Sequence, residues 1–326
     1  MHIRTTLRIV LLSLVALMPQ AGASGQTQPN ATAPAPSAPG GDPDWRNTIA
    51  EVLGKPGTDM PGEVYRVALP RTDLQVTLDG VRLLPGFALG SWVAFHEHGG
   101  QVMLMGDLVL LESEIAPVMR RLAEGGVEVT ALHNHLVRAQ PATMYLHVAG
   151  LGEPRRIAVV LRTAVQESAT PLEGAASPSA EDRMEGLDTA AFTQALGREG
   201  RVAGAVYSVS VPRAEAVQEN GAEVPPAMGL GTVINLQAAG NGRAAVTGDF
   251  VLTAPEVVPV QRALVESGIE VTAIHNHMLH EQPRLFFMHF WGVGEPEGLA
   301  RGLRTALDRT NSRRTDAAPG RDGGRR

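Results

Sequence analysis

The chain contains no cysteine, and that absence excludes more chemistry than any residue present suggests. Without thiols there can be no disulfide, no cysteine nucleophile, no iron–sulfur cluster and no cysteine-type zinc site. There is also no cysteine to carry a lipid anchor. Any bound metal must be held by His, Asp or Glu. Beyond the N-terminus there is no apolar run long enough to span a bilayer, so no transmembrane segment is expected in the mature chain. Basic charge is not in excess either. The formal net charge of −6 gives no reason to expect a nucleic-acid partner. P-loop, Gly-x-Gly-x-x-Gly, Gly-x-Ser-x-Gly and His-Glu-x-x-His patterns are all missing.

What is present begins with an export signal. Arg4 and Arg8 form a basic start, Ile9 to Met18 a short apolar stretch, and Pro19 a break before Ala21-Gly22-Ala23. Residues 1–23 are therefore expected to be a signal peptide, giving an exported protein, periplasmic or secreted, that starts near Ser24. Residues 24–43 are rich in Pro, Ala, Ser, Thr and Gly and read as a disordered linker. A second stretch of similar composition, 168–186, divides the remainder, and 309–326 reads as a disordered Arg-rich tail.

Between these lie two copies of one unit, 44–167 and 187–308. Tyr65–Arg71 matches Tyr207–Arg213, Gly106–Leu110 matches Gly248–Leu252, and Val129–His135 matches Val271–His277. Gly152–Pro154 and Leu161–Ala164 recur at Gly294–Pro296 and Leu303–Ala306, every pair 142 positions apart. A single offset held through separate blocks is the signature of duplication.

Within the first unit, Trp45, Ile49, Val52 and Leu53 have helical spacing, ended by Gly54. Runs at 63–69, 91–96 and 101–111 read as strands. Ser113 is the expected cap of a helix carrying Ile115, Val118, Met119 and Leu122, with Pro117 in its first turn and Gly125-Gly126 as its stop. Thr253, Pro259 and Gly268 repeat that logic in the second unit. Residues 127–136 and 143–149 read as strands joined around Pro141, and Pro154 opens a last helix. The expected fold class is α+β: two tandem units, each a mostly antiparallel sheet with helices packed on one face, in the order α-β-β-β-α-β-β-α.

Seven of the ten histidines fall in the two matched hairpins: His133, His135 and His147, then His275, His277, His280 and His289. Strand alternation puts His133 and His135 on one face, about 7 Å apart, continuing the apolar side begun by Val127, Val129 and Ala131. An even register around Pro141 brings His147 beside them. The second copy repeats this with His275, His277 and His289, and adds Glu281 where the first copy has Ala139. Crowded imidazoles at the end of an apolar face need partners, and a divalent metal such as zinc or copper satisfies them together. The expectation is therefore one site per unit, the second made stronger by Glu281. Two other readings stay open. The histidines can be structural, hydrogen-bonded to groups such as Asp107 and Asp249, or they can bind a small-molecule ligand without metal. Asn134 and Asn276 are expected to tie down the turns, and Arg71 and Arg213 to lie at the surface at strand ends.

The blocks Met105–Leu136 and Thr247–Gly294 resemble the LppY/LpqO family of exported bacterial proteins, whose domain has no assigned function. The resemblance spans roughly 44–166 and 187–308. It implies export and the duplicated fold, but its lipoprotein label does not carry over to a chain without cysteine. It supplies no catalytic residue. The residues favour an exported protein that binds a metal ion or small ligand over an enzyme. A metal-assisted hydrolase, with a His-bound zinc and Glu281 or Asp249 as base, and a structural protein of the cell envelope are the alternatives.

Overall fold

The computed structural model describes residues 44–172 and 187–313. The expected signal peptide and first linker lie outside the described residues, as do most of the second linker and of the tail. In the first copy α1 (Trp45–Leu53) is followed by β1 (Thr58–Met60), β2 (Val64–Pro70), β3 (Val76–Leu78), β4 (Val81–Leu83) and the short α2 (Pro85–Ala88). Then come β5 (Gly90–His98), β6 (Gln101–Leu110), α3 (Glu112–Gly125), β7 (Glu128–His133), β8 (Met144–Gly152) and α4 (Pro154–Val165). The second copy runs α5 (Thr189–Leu196), β9 (Arg201–Ala203), β10 (Val206–Pro212), β11 (Gln218–Glu219) and β12 (Ala222–Glu223). It ends with β13 (Gly231–Gly240), β14 (Arg243–Thr253), α6 (Ala254–Glu266), β15 (Glu270–His275), β16 (Glu281–Gln282), β17 (Leu285–Gly294) and α7 (Pro296–Leu307).

Each copy builds a six-stranded antiparallel sheet, ordered β1-β2-β5-β6-β8-β7 in the first and β9-β10-β13-β14-β17-β15 in the second. The α+β class and the tandem arrangement are as expected. One apolar face of each sheet is covered by its own helices: Ile49, Val118, Leu122 and Leu161 close over Val67, Phe95, Leu104 and Val148 in the first copy. Phe192, Val260, Leu264 and Leu303 close over Val209, Leu236, Val246 and Phe290 in the second. Among the described residues no helix is long and apolar enough to cross a membrane.

The opposite faces of the two sheets meet. Val64, Ala94, Met103 and Met105 of the first sheet pack with Val224, Met228, Leu285 and Phe287 of the second copy. Leu78, Leu83, Phe87 and Tyr145 pack reciprocally with Val206, Ala245 and Trp291. The β3–β4 hairpin and α2, which the strand pattern did not predict, are what the first copy lays on the second sheet. Their backbone is held there by side chains of β13: Gln237 accepts from Leu84 N–H and donates to the Arg82 carbonyl, and Asn235 donates to that of Phe87.

Several local expectations are corrected. The cap of α3 is Leu111, two residues before Ser113, because the Glu114 carboxylate accepts the Leu111 N–H at 2.8 Å; Pro117 consequently lies inside the helix. Thr253 does cap α6, with Glu256 closing the capping box. Arg71 and Arg213 are buried, not superficial. Arg71 pairs with Asp73 and Glu114 and donates to the Val109 carbonyl, and Arg213 repeats this with Glu215, Glu256 and Val251. The start of the expected second linker is packed: Ala169 N–H bonds Glu114, and Thr170 is buried. The start of the expected tail pairs with the end of β10, Arg313 N–H donating to Pro212.

Candidate metal centre

The histidines reach the space between the sheets through a β-bulge. Val129 pairs with Val148 and packs under the helices, but two residues on, Ala131 pairs with His147, a single step along β8. The extra residue, Thr130, reverses the alternation. Ala131 and His133 thus join His147 on the inner face, opposite to the face that carries Val129. The second copy has the same shift, Val271 pairing with Phe290 and Ala273 with His289. The expected continuation of one apolar side is therefore wrong at this step, while the grouping of His133 with His147, and of His275 with His289, holds.

Both bulges face each other, so the histidines form one cluster and not two sites. His133 stacks on His275 with ring centroids 3.5 Å apart, His135 on His289 at 3.5 Å, and His147 against His277 at 3.8 Å. Ligand-capable atoms of His133, His135, His147 and His275 all lie within 4.8 Å of one another. The bulged threonines stitch the arrangement. Thr130 donates to the His277 carbonyl and Thr272 to that of His135. Asn134 and Asn276 reach the opposite copy's Thr272 and Thr130 carbonyls; only Asn276 also ties its own turn, at Met278.

The nitrogen inventory is unusual. His133 and His275 each bond Nδ1 to the next residue's carbonyl, and His289 bonds Nδ1 to Gly248, so these nitrogens carry hydrogen and Nε2 is left as a lone pair. Nε2 of His133, His135 and His275, Nδ1 of His277 and both nitrogens of His147 are buried without any hydrogen-bond partner. Asp107 was a candidate partner, yet its oxygens lie 3.8 Å from His135 Nε2 and from His147 Nδ1, too far for a hydrogen bond. Burial keeps every imidazole of the cluster neutral. His275 and His277 are pushed down to about 3, and His135, His147 and His289 well below the usual histidine range, each helped by its histidine neighbours. Neutral imidazoles with free lone pairs are the form that binds a metal.

Beside the cluster is a cavity of about 70 Å³ lined by Arg66, Trp92, Asp107, Gly229, Asp249 and the cluster histidines other than His133, among others. Burial raises both carboxyls: Asp249 to about 7, and Asp107 well above the carboxylate range, with the charge of Asp249 adding to the effect. The Gly-Asp pairs recognised in the sequence have a steric cause. Gly248 sits at φ 152°, and a Cβ there would come 1.9 Å from the Val233 carbonyl oxygen.

With this geometry in hand, the family can be stated. The model described as "Domain of Unknown Function (DUF1259)" matches residues 47–167 and 190–309. The chain belongs to that family, twice over. No curated protein matches it significantly. Two solved structures align, both at low scores. A trimeric bacterial microcompartment shell protein, PduB, is 14% identical over 78% of this chain and 89% of that one, with a TM-score of 0.22. EtuB from Clostridium kluyveri is 10% identical over 78% and 88%, with a TM-score of 0.17. At these scores neither likeness bears on the fold or activity of the DUF1259 copies.

Glu281 does not join the cluster that the two DUF1259 copies share. It is buried in β16, just ahead of β17, where Arg284 Nη1 donates to Oε2 and the Leu285 N–H to Oε1, both at 2.9 Å. His280 also points elsewhere: it is exposed, and its N–H bonds Glu219. Arg66 and Trp92 were not foreseen as site residues. The only signal was an arginine inside the apolar run Val64–Leu69, on the side that alternation assigns to Val64 rather than to Val67.

Proposed function

We propose that this protein holds a divalent transition metal, zinc or copper, in the histidine cluster between its two DUF1259 copies. The observation that carries the reading is the set of orphaned imidazole nitrogens of His133, His135, His147 and His275, converging and buried. Leaving each such group unpaired costs about 1–3 kcal/mol, and one metal ion relieves several at once. A purely structural role offers no such compensation. The copies contribute ligands jointly, so the binding protein is the duplicated chain and not the single unit. Export is part of the reading: the signal-like residues 1–23 and the LppY/LpqO resemblance support a periplasmic or secreted location. Metal analysis of protein purified without an affinity tag tests it. A stoichiometric transition metal is expected, and metal-free protein that takes up neither zinc nor copper on titration would remove the reading.

A second reading has its own observation. Asp249 lines the cavity beside His289 and His275, and its carboxyl, raised to about 7, is suited to exchange a proton with a water held there. This favours metal-assisted hydrolysis with Asp249, and not Glu281, as the base. Turnover of ester or phosphoester probes that is lost in Asp249→Asn would support it.

A further inference from the structure

We propose that the cavity beside the histidines binds a small oxyanion, a carboxylate or a phosphate, gripped by Arg66. This rests on the metal reading above and adds the class of ligand the site would take. Arg66 projects from β2 onto the inner sheet face, and its guanidinium carbon lies 4.0 Å from the centre of the Trp92 ring. Among the described residues no hydrogen bond or ion pair engages that guanidinium. The contrast with Arg71 and Arg213 is direct, since each of those is held by two carboxylates and a carbonyl. An arginine stacked on an aromatic face keeps its planar fork of donors free at the edge, the arrangement that grips an oxyanion through two parallel hydrogen bonds.

The two copies differ where this ligand would lie. The histidines and aspartates are duplicated, but Arg66 corresponds to Ser208, and Trp92, the partner of Asp107, corresponds to Val233, the partner of Asp249. The shared cluster is pseudo-symmetric; the cavity wall is not. Among the residues that line the cavity Arg66 is the one cation, and it comes from the first copy. Gly229 completes that wall at φ 98°, where a Cβ would come 2.8 Å from the Trp92 ring. The charges favour an anion. A dication together with Arg66 outweighs Asp107 and Asp249 even if both are ionised, and burial leaves those carboxyls reluctant to ionise. The cavity of about 70 Å³ suits a ligand of a few heavy atoms.

Calorimetric titration of the zinc-loaded full chain, freed of excess metal, with acetate and separately with inorganic phosphate tests this. The parent is expected to bind at least one of the two, and the arm that responds identifies the anion. Arg66→Met should keep its zinc and weaken anion binding by about tenfold or more, while Arg66→Lys, which keeps the charge but not the fork, should fall between. Zinc-loaded parent that binds neither anion overturns the proposal alone, as does Arg66→Met or Arg66→Lys protein that binds anion as well as the parent. A parent that holds no zinc overturns the metal reading and this proposal with it.

Discussion

Thr130 of the first copy donates its hydroxyl hydrogen to the carbonyl of His277 in the second, at 2.7 Å. The bond joins a bulge residue in one sheet to a cluster histidine of the other, and Thr272 returns it to His135. Thr130→Val keeps the shape and removes the donor, leaving a buried carbonyl without its partner. Stability should fall by about 1–3 kcal/mol in urea titration. Zinc affinity should fall as well, although no ligand atom is touched. Unchanged affinity would mean that the bulge does not position the cluster.

Acid should unfold the metal-free protein early. The cluster imidazoles are held neutral in the fold, His275 and His277 down to about 3, against about 6.5 for an unfolded histidine. Below that pH the unfolded chain takes up protons that the folded chain refuses, so stability falls as pH drops from about 6.5 towards 3. Asp107 and Asp249 act in the opposite sense. Their raised values mean that the fold binds their protons first, so each contributes stability as pH drops from about 7 towards 4. The histidines outnumber them, and the net slope is loss of stability with acid, about 1.4 kcal/mol per pH unit for each excess proton. Urea midpoints between pH 7.5 and 4.5 check the sign, and a flat profile would contradict it.

Glu281 separates the sequence expectation from the structure. Because its oxygens serve Arg284 and the Leu285 N–H, Glu281→Gln should leave zinc affinity unchanged while costing about 1–3 kcal/mol of stability. Loss of metal binding with stability intact would return Glu281 to the ligand set.

The contrast between Glu281 and His133 explains what was legible in the sequence. The 142-residue offset, the helices and the main strands follow from periodicity and glycine placement, and these define the fold of each copy. Short elements such as β3, β4 and α2 escape, because three or four residues carry too little pattern, and their conformation is set by docking on the other copy. The histidines were recognisable as a set, but their face was not. Alternation predicts direction only while pairing stays regular, and the bulge at Thr130 turns His133 from the helix side to the inter-sheet side. Nor does a repeat reveal that two copies share one site. That depends on long-range packing of the inner sheet faces, and it made Glu281, local in sequence to His277, look like a better ligand than His133 from the other copy.

Arg71 gives a prediction about stability alone. It is fully buried with Asp73, Glu114 and the Val109 carbonyl as partners, so Arg71→Met leaves buried carboxylates without their cation. A loss of about 3–5 kcal/mol is expected in urea titration. Protein that remains folded should bind zinc as the parent does, since the clamp lies outside the cluster. A near-neutral substitution would contradict the assignment of Arg71 as a structural clamp.

The central claim is that ligands from both copies make one site. Calorimetric zinc titration of the full chain, of His135→Ala in the first copy and of His275→Ala in the second tests it most directly. The account predicts that either substitution abolishes the same high-affinity binding event, because both imidazoles serve one ion. Two independent events in the parent, each lost with only one of the substitutions, would contradict a shared site; no binding in the parent would contradict a metal centre altogether.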